Sequence, residues 1–131
     1  MQRFGAFLWS GDVYSTWETL KQHIPTAVNC GLSGIPYWGT DIGGFVPTAE
    51  YTGELHVRWF QFGAFCPLFR AHGRTWQLRL PWGWNTGDPG PVEVTNYNGA
   101  STPDPAELHN AQVEPICRKY LELRYRLMPY L

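Results

Sequence analysis

The stretch FLWSGDVYSTW, residues 7–17, places one carboxylate, Asp12, directly behind an apolar run and a tight Ser-Gly turn. Residues 4–9 are almost wholly apolar and β-prone, which predicts a strand buried on both faces. Ser15 and Glu18 follow at the spacing of a capping box, in which Ser15 caps a helix and Glu18 reaches back. The stretch therefore predicts a strand, a turn that carries a carboxylate, and a helix.

The same order of apolar run, sharp turn and polar group recurs twice. Residues 35–38 predict a second strand, which leads into the turn GTDIGGF with Asp41. Residues 65–69 predict a third strand, which leads through FRAHG to His72. Each predicted strand thus ends in a turn that carries a candidate functional group.

Helical patterns separate the strands. The first helix is expected to stop at Gly31 and to be interrupted or kinked at Pro25, which lacks an N–H. Residues 54–64 predict a second helix, and residues 113–128 predict a third with one apolar stripe and i,i+4 ion pairs. Between them, residues 74–112 are rich in Gly, Pro, Asn, Asp and Thr, which predicts a long loop.

Repeated strand–helix units imply parallel strands joined by right-handed crossovers. A complete (β/α)8 barrel needs about 250 residues, so 131 residues with about three βα units predict an α/β fold of the partial TIM-barrel type. We expect residues 1–131 to form one fragment of such a barrel. Three parallel strands leave open sheet edges, so contact with the rest of the barrel, or self-association through those edges, is expected.

Composition narrows the function classes. The formal net charge is −1 and 44% of the residues are hydrophobic, with no polybasic run and no stretch long enough to span a membrane. Neither a nucleic-acid partner nor a membrane is therefore expected. The cysteines form no C-x-x-C pair and the histidines no metal-ligand spacing, so no metal and no cofactor are expected.

The strand ends bring three candidate groups to one side of the predicted sheet: Asp12, Asp41 and His72. Neighbouring strands lie about 5 Å apart, so these side chains can converge on one small molecule. A carboxylate beside tryptophan faces is partly desolvated, which suits a general acid. The pattern alone also allows Asp12 to be a helix N-cap or turn residue and His72 to be a buried, hydrogen-bonded histidine.

Four ordered motifs carry a resemblance to a known family. They are LWSGDVYSTWETL (8–20), GLSGIPYWGTDIGGF (31–45), ELHVRWFQFGAFCPLFRAHG (54–73) and LRYRLMPYL (123–131). Together they resemble the C-terminal part of the barrel of glycoside hydrolase family 31, which contains α-glucosidases, α-xylosidases and related transglycosylases. The resemblance spans nearly the whole chain and implies that residues 1–131 are one fragment from the C-terminal part of that barrel, to be completed by a missing N-terminal part.

The resemblance implies a role for each residue that matches a family motif. Asp12 matches the general acid/base that protonates the glycosidic oxygen and later activates water. Trp9 matches an aromatic wall of the subsite for the transferred sugar, and Asp41 a carboxylate that binds or supports that sugar. Phe45 matches an aromatic at the rim of the site, and His72 a histidine that binds sugar hydroxyls.

The resemblance gives no role to four further residues. Ion pairing is the expectation for the arginines and core packing for the tryptophans: Arg58, Arg70, Trp38 and Trp59. The family is retaining, which requires a second carboxylate as nucleophile. The W-x-D-x-N-E-like motif that carries it in the family is absent from residues 1–131, so the nucleophile is expected upstream.

The resulting expectation is a fragment of a retaining α-glycosidase that acts on terminal α-linked glucosyl or xylosyl residues of oligosaccharides. Glucosyl is favoured over xylosyl. The isolated fragment is expected to be inactive because the nucleophile is missing. Three alternatives stay open: a non-catalytic carbohydrate-binding fragment, a parent that is an α-glucan transglycosylase, and a structural half-barrel that self-associates.

Overall fold

The computed structural model describes residues 4–94 and 97–131. Three strands form one parallel sheet in the order β1–β2–β3. The strands are β1 (Leu8–Trp9), β2 (Trp38–Asp41) and β3 (Leu68–Arg70), and the helices are α1 (Trp17–Leu32), α2 (Gly53–Gly63) and α3 (Val113–Leu127). The order of elements agrees with the strand–helix alternation predicted from the sequence. Among the described residues, no helix combines the length and apolarity needed to cross a membrane.

The first strand is shorter and more exposed than the sequence predicts. Only Leu8 and Trp9 are in β1, and Phe4 and Phe7 are 75% and 55% exposed. The expectation of a strand buried on both faces over residues 4–9 is therefore wrong for this chain. The physical reason is the position of β1 at the edge of the sheet, where within the described chain it pairs with β2 alone.

The second and third strands begin about three residues later than predicted. β2 therefore includes Asp41 and β3 includes Arg70, and these two residues are partners in the parallel register. A glycine is required at position 39, because a Cβ there would overlap the backbone oxygen of Leu68 on β3. The shift places Asp41 and Arg70 at the ends of the strands, while His72 lies two residues beyond β3.

The first helix begins at a different cap from the predicted one. Thr16 is the N-cap, and its Oγ1 accepts a hydrogen bond from the backbone N–H of Thr19 at 3.1 Å. Ser15 is fully buried, and its own N–H donates to the carbonyl of Val46 at 2.8 Å. Ser15 thus serves to tie the β1–α1 loop to the β2–α2 loop, while the helix starts one residue later.

The end of α1 also differs from expectation. The helix continues through Pro25 and includes Gly31, and it is Ser33 whose N–H closes the last turn on the carbonyl of Asn29 at 2.9 Å. Pro25 is exposed and removes only one backbone hydrogen bond. Neither the predicted interruption nor the predicted stop is present.

The main core lies between α2, α3 and the segment that precedes α3. Its largest fully buried side chains include Tyr51, Leu55, Trp59, Leu78, Trp84 and Val113. Trp38 is 5% exposed and Trp59 is fully buried, so the core packing predicted for these two tryptophans is confirmed. The predicted loop at 74–112 is therefore partly structured where it is described: it contains the 3-10 helices Gln77–Arg79, Pro81–Asn85 and Pro105–His109, and Leu78, Trp84 and Leu108 from these helices belong to the core.

Candidate functional site

The turn after β2 forms the floor of the candidate site. Gly43 and Gly44 have φ angles of +84° and +76°, a region that disfavours residues with a Cβ. A Cβ on Gly43 would also lie 2.7 Å from the ring of Tyr51. The GG pair therefore turns the chain sharply between Asp41 at the strand end and the ring of Phe45.

A buried arginine, Arg79, binds the backbone of this turn. Arg79 is 2% exposed, and its guanidinium donates to the carbonyls of Gly43 at 2.9 Å and Phe45 at 3.2 Å. The guanidinium also lies 4.2 Å from the ring centroid of Tyr51. Burial lowers the pKa of Arg79, and the neighbouring Tyr51 and Asp41 oppose that shift. Sequence reasoning missed Arg79; the available signal was a single charge inside the apolar run LRLPW.

Asp41 forms an ion pair across the sheet. Its side chain is fully buried, and its Oδ1 accepts a hydrogen bond from Nε of Arg70 at 2.8 Å and lies 2.8 Å from Nη2 in the ion pair. Within the described chain, Oδ2 is buried with no hydrogen-bond partner. The guanidinium of Arg70 lies 5.6 Å from the ring centroid of Trp9, so Arg70 connects two predicted site residues.

The arginines without an assigned role behave as expected. Arg70 pairs with Asp41, and Arg58 pairs with Glu54 at 3.5 Å on the exposed side of α2. The ion pairing predicted for both is therefore confirmed. The two pairs differ in burial, because Asp41 is fully buried whereas both members of the α2 pair are more than half exposed.

Asp12 lies in the loop after β1 and is exposed. Its Oδ2 accepts a hydrogen bond from the hydroxyl of Tyr97 at 2.9 Å. Trp9 is 51% exposed and contacts Arg70. The desolvation of Asp12 expected from nearby tryptophans is therefore not observed in the described chain. Asp12 is instead exposed and contacts a polar group, the Tyr97 hydroxyl, from a distant segment.

Phe45 and His72 lie together at a cavity. Their ring centroids are 5.1 Å apart, and Phe45 is nearly buried while His72 is exposed. The cavity has a volume of about 460 Å³ and is lined by Phe45, Ala71, His72, Gly73, Arg74, Trp76, Arg79 and Leu80. Such a space, with aromatic faces and a few convergent polar groups, is typical of a small-molecule site.

Arg74 and Tyr97 cover one side of Phe45. The Arg74 guanidinium lies 5.3 Å from the Phe45 ring centroid and 5.2 Å from that of Tyr97, and it forms an ion pair with Glu93. The hydrogen bond to Tyr97 and the charge of Glu93 raise the pKa of Arg74. Sequence reasoning missed Arg74, Glu93 and Tyr97, because nothing in the segment after residue 73 showed which of its residues return to the strand ends.

The five predicted site residues thus fall into connected groups at the C-terminal ends of the strands. Trp9 and Asp41 are connected by Arg70, Phe45 contacts His72, and Asp12 is connected to Phe45 through Tyr97. In the part of the chain that the structure describes, no three histidine, cysteine, aspartate or glutamate side chains cluster as metal ligands would. The arrangement thus brings carboxylates, an imidazole and aromatic faces to one edge of the sheet.

Comparison with known proteins identifies the family. The model of the "Glycosyl hydrolases family 31 TIM-barrel domain" matches residues 1–131. The chain is 38% identical over 133 residues to an α-xylosidase of Saccharolobus solfataricus, covering 99% of this chain and 15% of that protein. It is 34% identical over 132 residues to α-glucosidase 2 of Bacillus thermoamyloliquefaciens, covering 100% of this chain and 13% of that protein.

Solved structures similar to this chain come from the same family. A family 31 dextranase of Flavobacterium johnsoniae, complexed with isomaltotriose, aligns with a TM-score of 0.68 at 31% identity, covering 95% of this chain and 13% of that one. A family 31 α-xylosidase from a soil metagenome, complexed with xylose, aligns with a TM-score of 0.67 at 34% identity, covering 98% of this chain and 19% of that one. The chain spans less than a fifth of the length of each of these relatives. It belongs to glycoside hydrolase family 31, and its parallel sheet and helices are part of that family's α/β barrel.

Proposed function

We propose that this chain is the acid/base-bearing segment of a retaining α-glycosidase, and that it supplies about three βα units of the barrel. The substrate is a terminal α-linked glucosyl or xylosyl residue of an oligosaccharide. The observation that carries the proposal is the position of Asp12 at the same edge of the sheet as Asp41 and His72, the carboxyl edge of parallel strands. In barrels, that edge bears the catalytic groups.

In the proposed mechanism, a carboxylate from outside residues 1–131 attacks the anomeric carbon. The bond from that carbon to the glycosidic oxygen breaks, and the leaving oxygen takes the proton of Asp12. Water then attacks the anomeric carbon of the glycosyl ester, gives its proton to Asp12 and releases the nucleophile. Retention requires the two carboxylates to lie about 5–5.5 Å apart.

The other site residues have binding and supporting roles in this proposal. Asp41 is fully buried and bound to Arg70, so it acts by holding Arg70 beside Trp9. Phe45 and His72 line the cavity of about 460 Å³, where an aromatic face and an imidazole can receive a sugar ring and its hydroxyls. Phe45 and His72 are thus proposed to touch the sugar, whereas Asp41 supports the site through Arg70.

The exposed apolar side chains near β1 support the proposal that further barrel strands pack here. Phe4, Phe7, Trp9 and Tyr37 are each at least 45% exposed beside an edge strand. Apolar surface at a sheet edge is a site for pairing with another segment or another copy of the chain. Size-exclusion chromatography of the 131-residue chain tests this point: association is expected, and a well-behaved monomer would count against it.

Asp12→Asn in the full-length protein that contains this chain tests the proposed function. Hydrolysis of 4-nitrophenyl α-glucoside and α-xyloside is measured, and a loss of about 10²–10⁴-fold is expected for removal of the general acid/base. Azide is expected to restore turnover by replacing water, which needs the base. Asp104→Asn is the matched control, because Asp104 only caps a 3-10 helix and asparagine caps as well. Wild-type rates in the Asp12 variant would overturn the proposal.

The isolated chain is proposed to be inactive, since it lacks the nucleophile. Assay of residues 1–131 on the same two substrates checks this, and turnover comparable to that of a complete family member would contradict it.

Carbohydrate binding without catalysis is a second candidate function, favoured by Trp76, which lines the cavity and is 68% exposed. Titration with glucose and xylose, followed by tryptophan fluorescence, distinguishes the two: saturable binding with unchanged catalysis in the Asp12 variant supports the binding role.

A further inference from the structure

A residue of the segment after β3 contacts the candidate acid/base directly. The hydroxyl of Tyr97 donates to Oδ2 of Asp12 at 2.9 Å, although the two residues are 85 positions apart in the chain. Asp12 itself is exposed, whereas Tyr97 is half-buried. The contact therefore joins a carboxylate on a loop to a better anchored group.

Tyr97 is anchored from two sides. Its ring meets Phe45 edge-on, with centroids 6.1 Å apart, and the Arg74 guanidinium lies 5.2 Å from its centroid. Arg74 is fixed in turn by its ion pair with Glu93 and by its contact with Phe45, and its backbone N–H donates to the carbonyl of Phe45 at 3.0 Å. The Tyr97 hydroxyl is thus held by contacts with Phe45, which ends the GG turn, and with Arg74, and both of these residues line the cavity.

The direction of the hydrogen bonds follows from the groups involved. Nη2 of Arg74 lies 3.4 Å from the Tyr97 hydroxyl, and a guanidinium can only donate. The hydroxyl therefore accepts from Arg74 and gives its own proton to Asp12. Donation in series polarises the hydroxyl and strengthens its bond to the carboxylate.

The contact also distinguishes the two carboxylate oxygens. Oδ2 of Asp12 can accept the hydroxyl proton whether the carboxyl group is ionised or protonated, provided that the acidic proton is on Oδ1. The hydrogen bond consequently persists through both halves of a double displacement. It leaves Oδ1 as the oxygen that exchanges the proton.

We propose that Tyr97 is a positioning residue that holds Asp12 through Oδ2 and presents Oδ1 to the glycosidic oxygen and then to water. This inference rests on the proposed function of Asp12 and deepens it. Tyr97 does not touch the substrate in this account. Arg74 and Glu93 act one step further away by holding the hydroxyl in place.

The test separates proton donation from general damage by varying the leaving group. Tyr97→Phe in the full-length protein removes only the hydroxyl. On methyl α-glucoside or methyl α-xyloside, whose leaving group needs a proton, kcat/KM is expected to fall about tenfold, equivalent to about 1.4 kcal/mol. On the corresponding glycosyl fluorides, which leave without acid assistance, it is expected to change less than twofold. A purely structural role would lower both rates equally.

Two further variants complete the design. Glu93→Gln loosens Arg74 without touching Asp12 or Tyr97, and a smaller loss, about threefold, is expected on the methyl glycosides alone. Tyr125→Phe is the matched control, because Tyr125 lies on α3 and is 71% exposed, and it is expected to match the wild type on every substrate.

Asp12→Asn in the same assays separates the positioning role of Tyr97 from the acid/base role of Asp12. If Asp12→Asn loses activity selectively on the methyl glycosides and Tyr97→Phe shows the same selectivity, the positioning role is supported. If Asp12→Asn is selective and Tyr97→Phe is unchanged, or loses equally on both substrates, the positioning role is overturned while the proposed function stands. If Asp12→Asn is itself unselective, the proposed function fails and the positioning role fails with it.

Discussion

The buried histidine of α2 should make the stability of the protein fall as the pH falls. His56 is fully buried, and its Nδ1 lies 3.2 Å from the hydroxyl of Tyr51. Because that hydroxyl donates to the carbonyl of Leu78 at 2.9 Å, Nδ1 must carry the proton that joins histidine and tyrosine. Nε2 is buried with no hydrogen-bond partner among the described residues. Burial, followed by the charge of Arg79, lowers the pKa of His56 to about 3.

The sign and the magnitude follow from proton linkage. An unfolded histidine has a pKa of about 6.5, so between about pH 6.5 and pH 3 the unfolded chain binds a proton that the folded chain rejects. The stabilisation is complete above about pH 6.5 and is lost as the pH falls towards 3. At pH 5, about 1.5 below the unfolded pKa, the loss attributable to His56 is about 2 kcal/mol. Burial also lowers the pKa of His23, which contributes with the same sign.

The contribution of His56 is the difference in unfolding free energy between the wild type and a variant without this histidine. Urea unfolding of the 131-residue chain is followed by tryptophan fluorescence between about pH 5 and pH 7.5, for the wild type and for His56→Gln. The variant is expected to be less stable at pH 7.5, but the difference should shrink by about 2 kcal/mol at pH 5. His109→Gln, at an exposed position, should keep the wild-type pH dependence. Parallel pH dependences of the wild type and His56→Gln would refute the reasoning.

Two predictions concern the floor of the site. Gly43→Ala should destabilise the protein by more than about 2 kcal/mol, because the added Cβ overlaps the buried ring of Tyr51 and the residue must also keep a positive φ. Gly99→Ala is the control, since Gly99 has a φ of +80° but open space around it, and it should cost only about 1–2 kcal/mol. Equal losses of stability in urea unfolding would contradict this prediction. Arg70→Met should cost about 2–3 kcal/mol because Asp41 is left buried without its partner, whereas Arg58→Met, which removes an exposed pair, should cost under about 1 kcal/mol. Similar midpoints of the two variants in thermal unfolding would count against the Arg70–Asp41 pair.

Much of the architecture was predictable because it depends on local patterns. Apolar runs followed by turns and helical stripes determined the order of strands and helices, and the motifs around Asp12 and Asp41 led to the family that the comparisons identify. The boundaries were less predictable, since they depend on partners. Ser15 lost its expected capping role to Thr16 because its backbone joins the next loop, and Phe7 is exposed because β1 is an edge strand.

The supporting groups of the candidate site could not be read from spacing. Arg79 lies 34 and 36 positions from the carbonyls it binds, and Tyr97 lies 85 positions from Asp12. A hydrogen bond between such distant residues exists only when a packed core brings their segments together, and here that core contains Leu78 and Trp84 from the same segment as Arg79.

The sequence by itself determined the alternation of strands and helices, the family, and which side chains stand at the strand ends. The alternation follows from residue type and periodicity, which act over a few neighbouring positions, whereas the family follows from the resemblance of whole motifs such as those around Asp12 and Asp41. Only the tertiary structure decided that Asp41 is buried against Arg70, that Arg79 binds the turn leading to Phe45, and that Asp12 accepts a hydrogen bond from Tyr97. Burial and pairing of charges depend on what distant segments bring into contact.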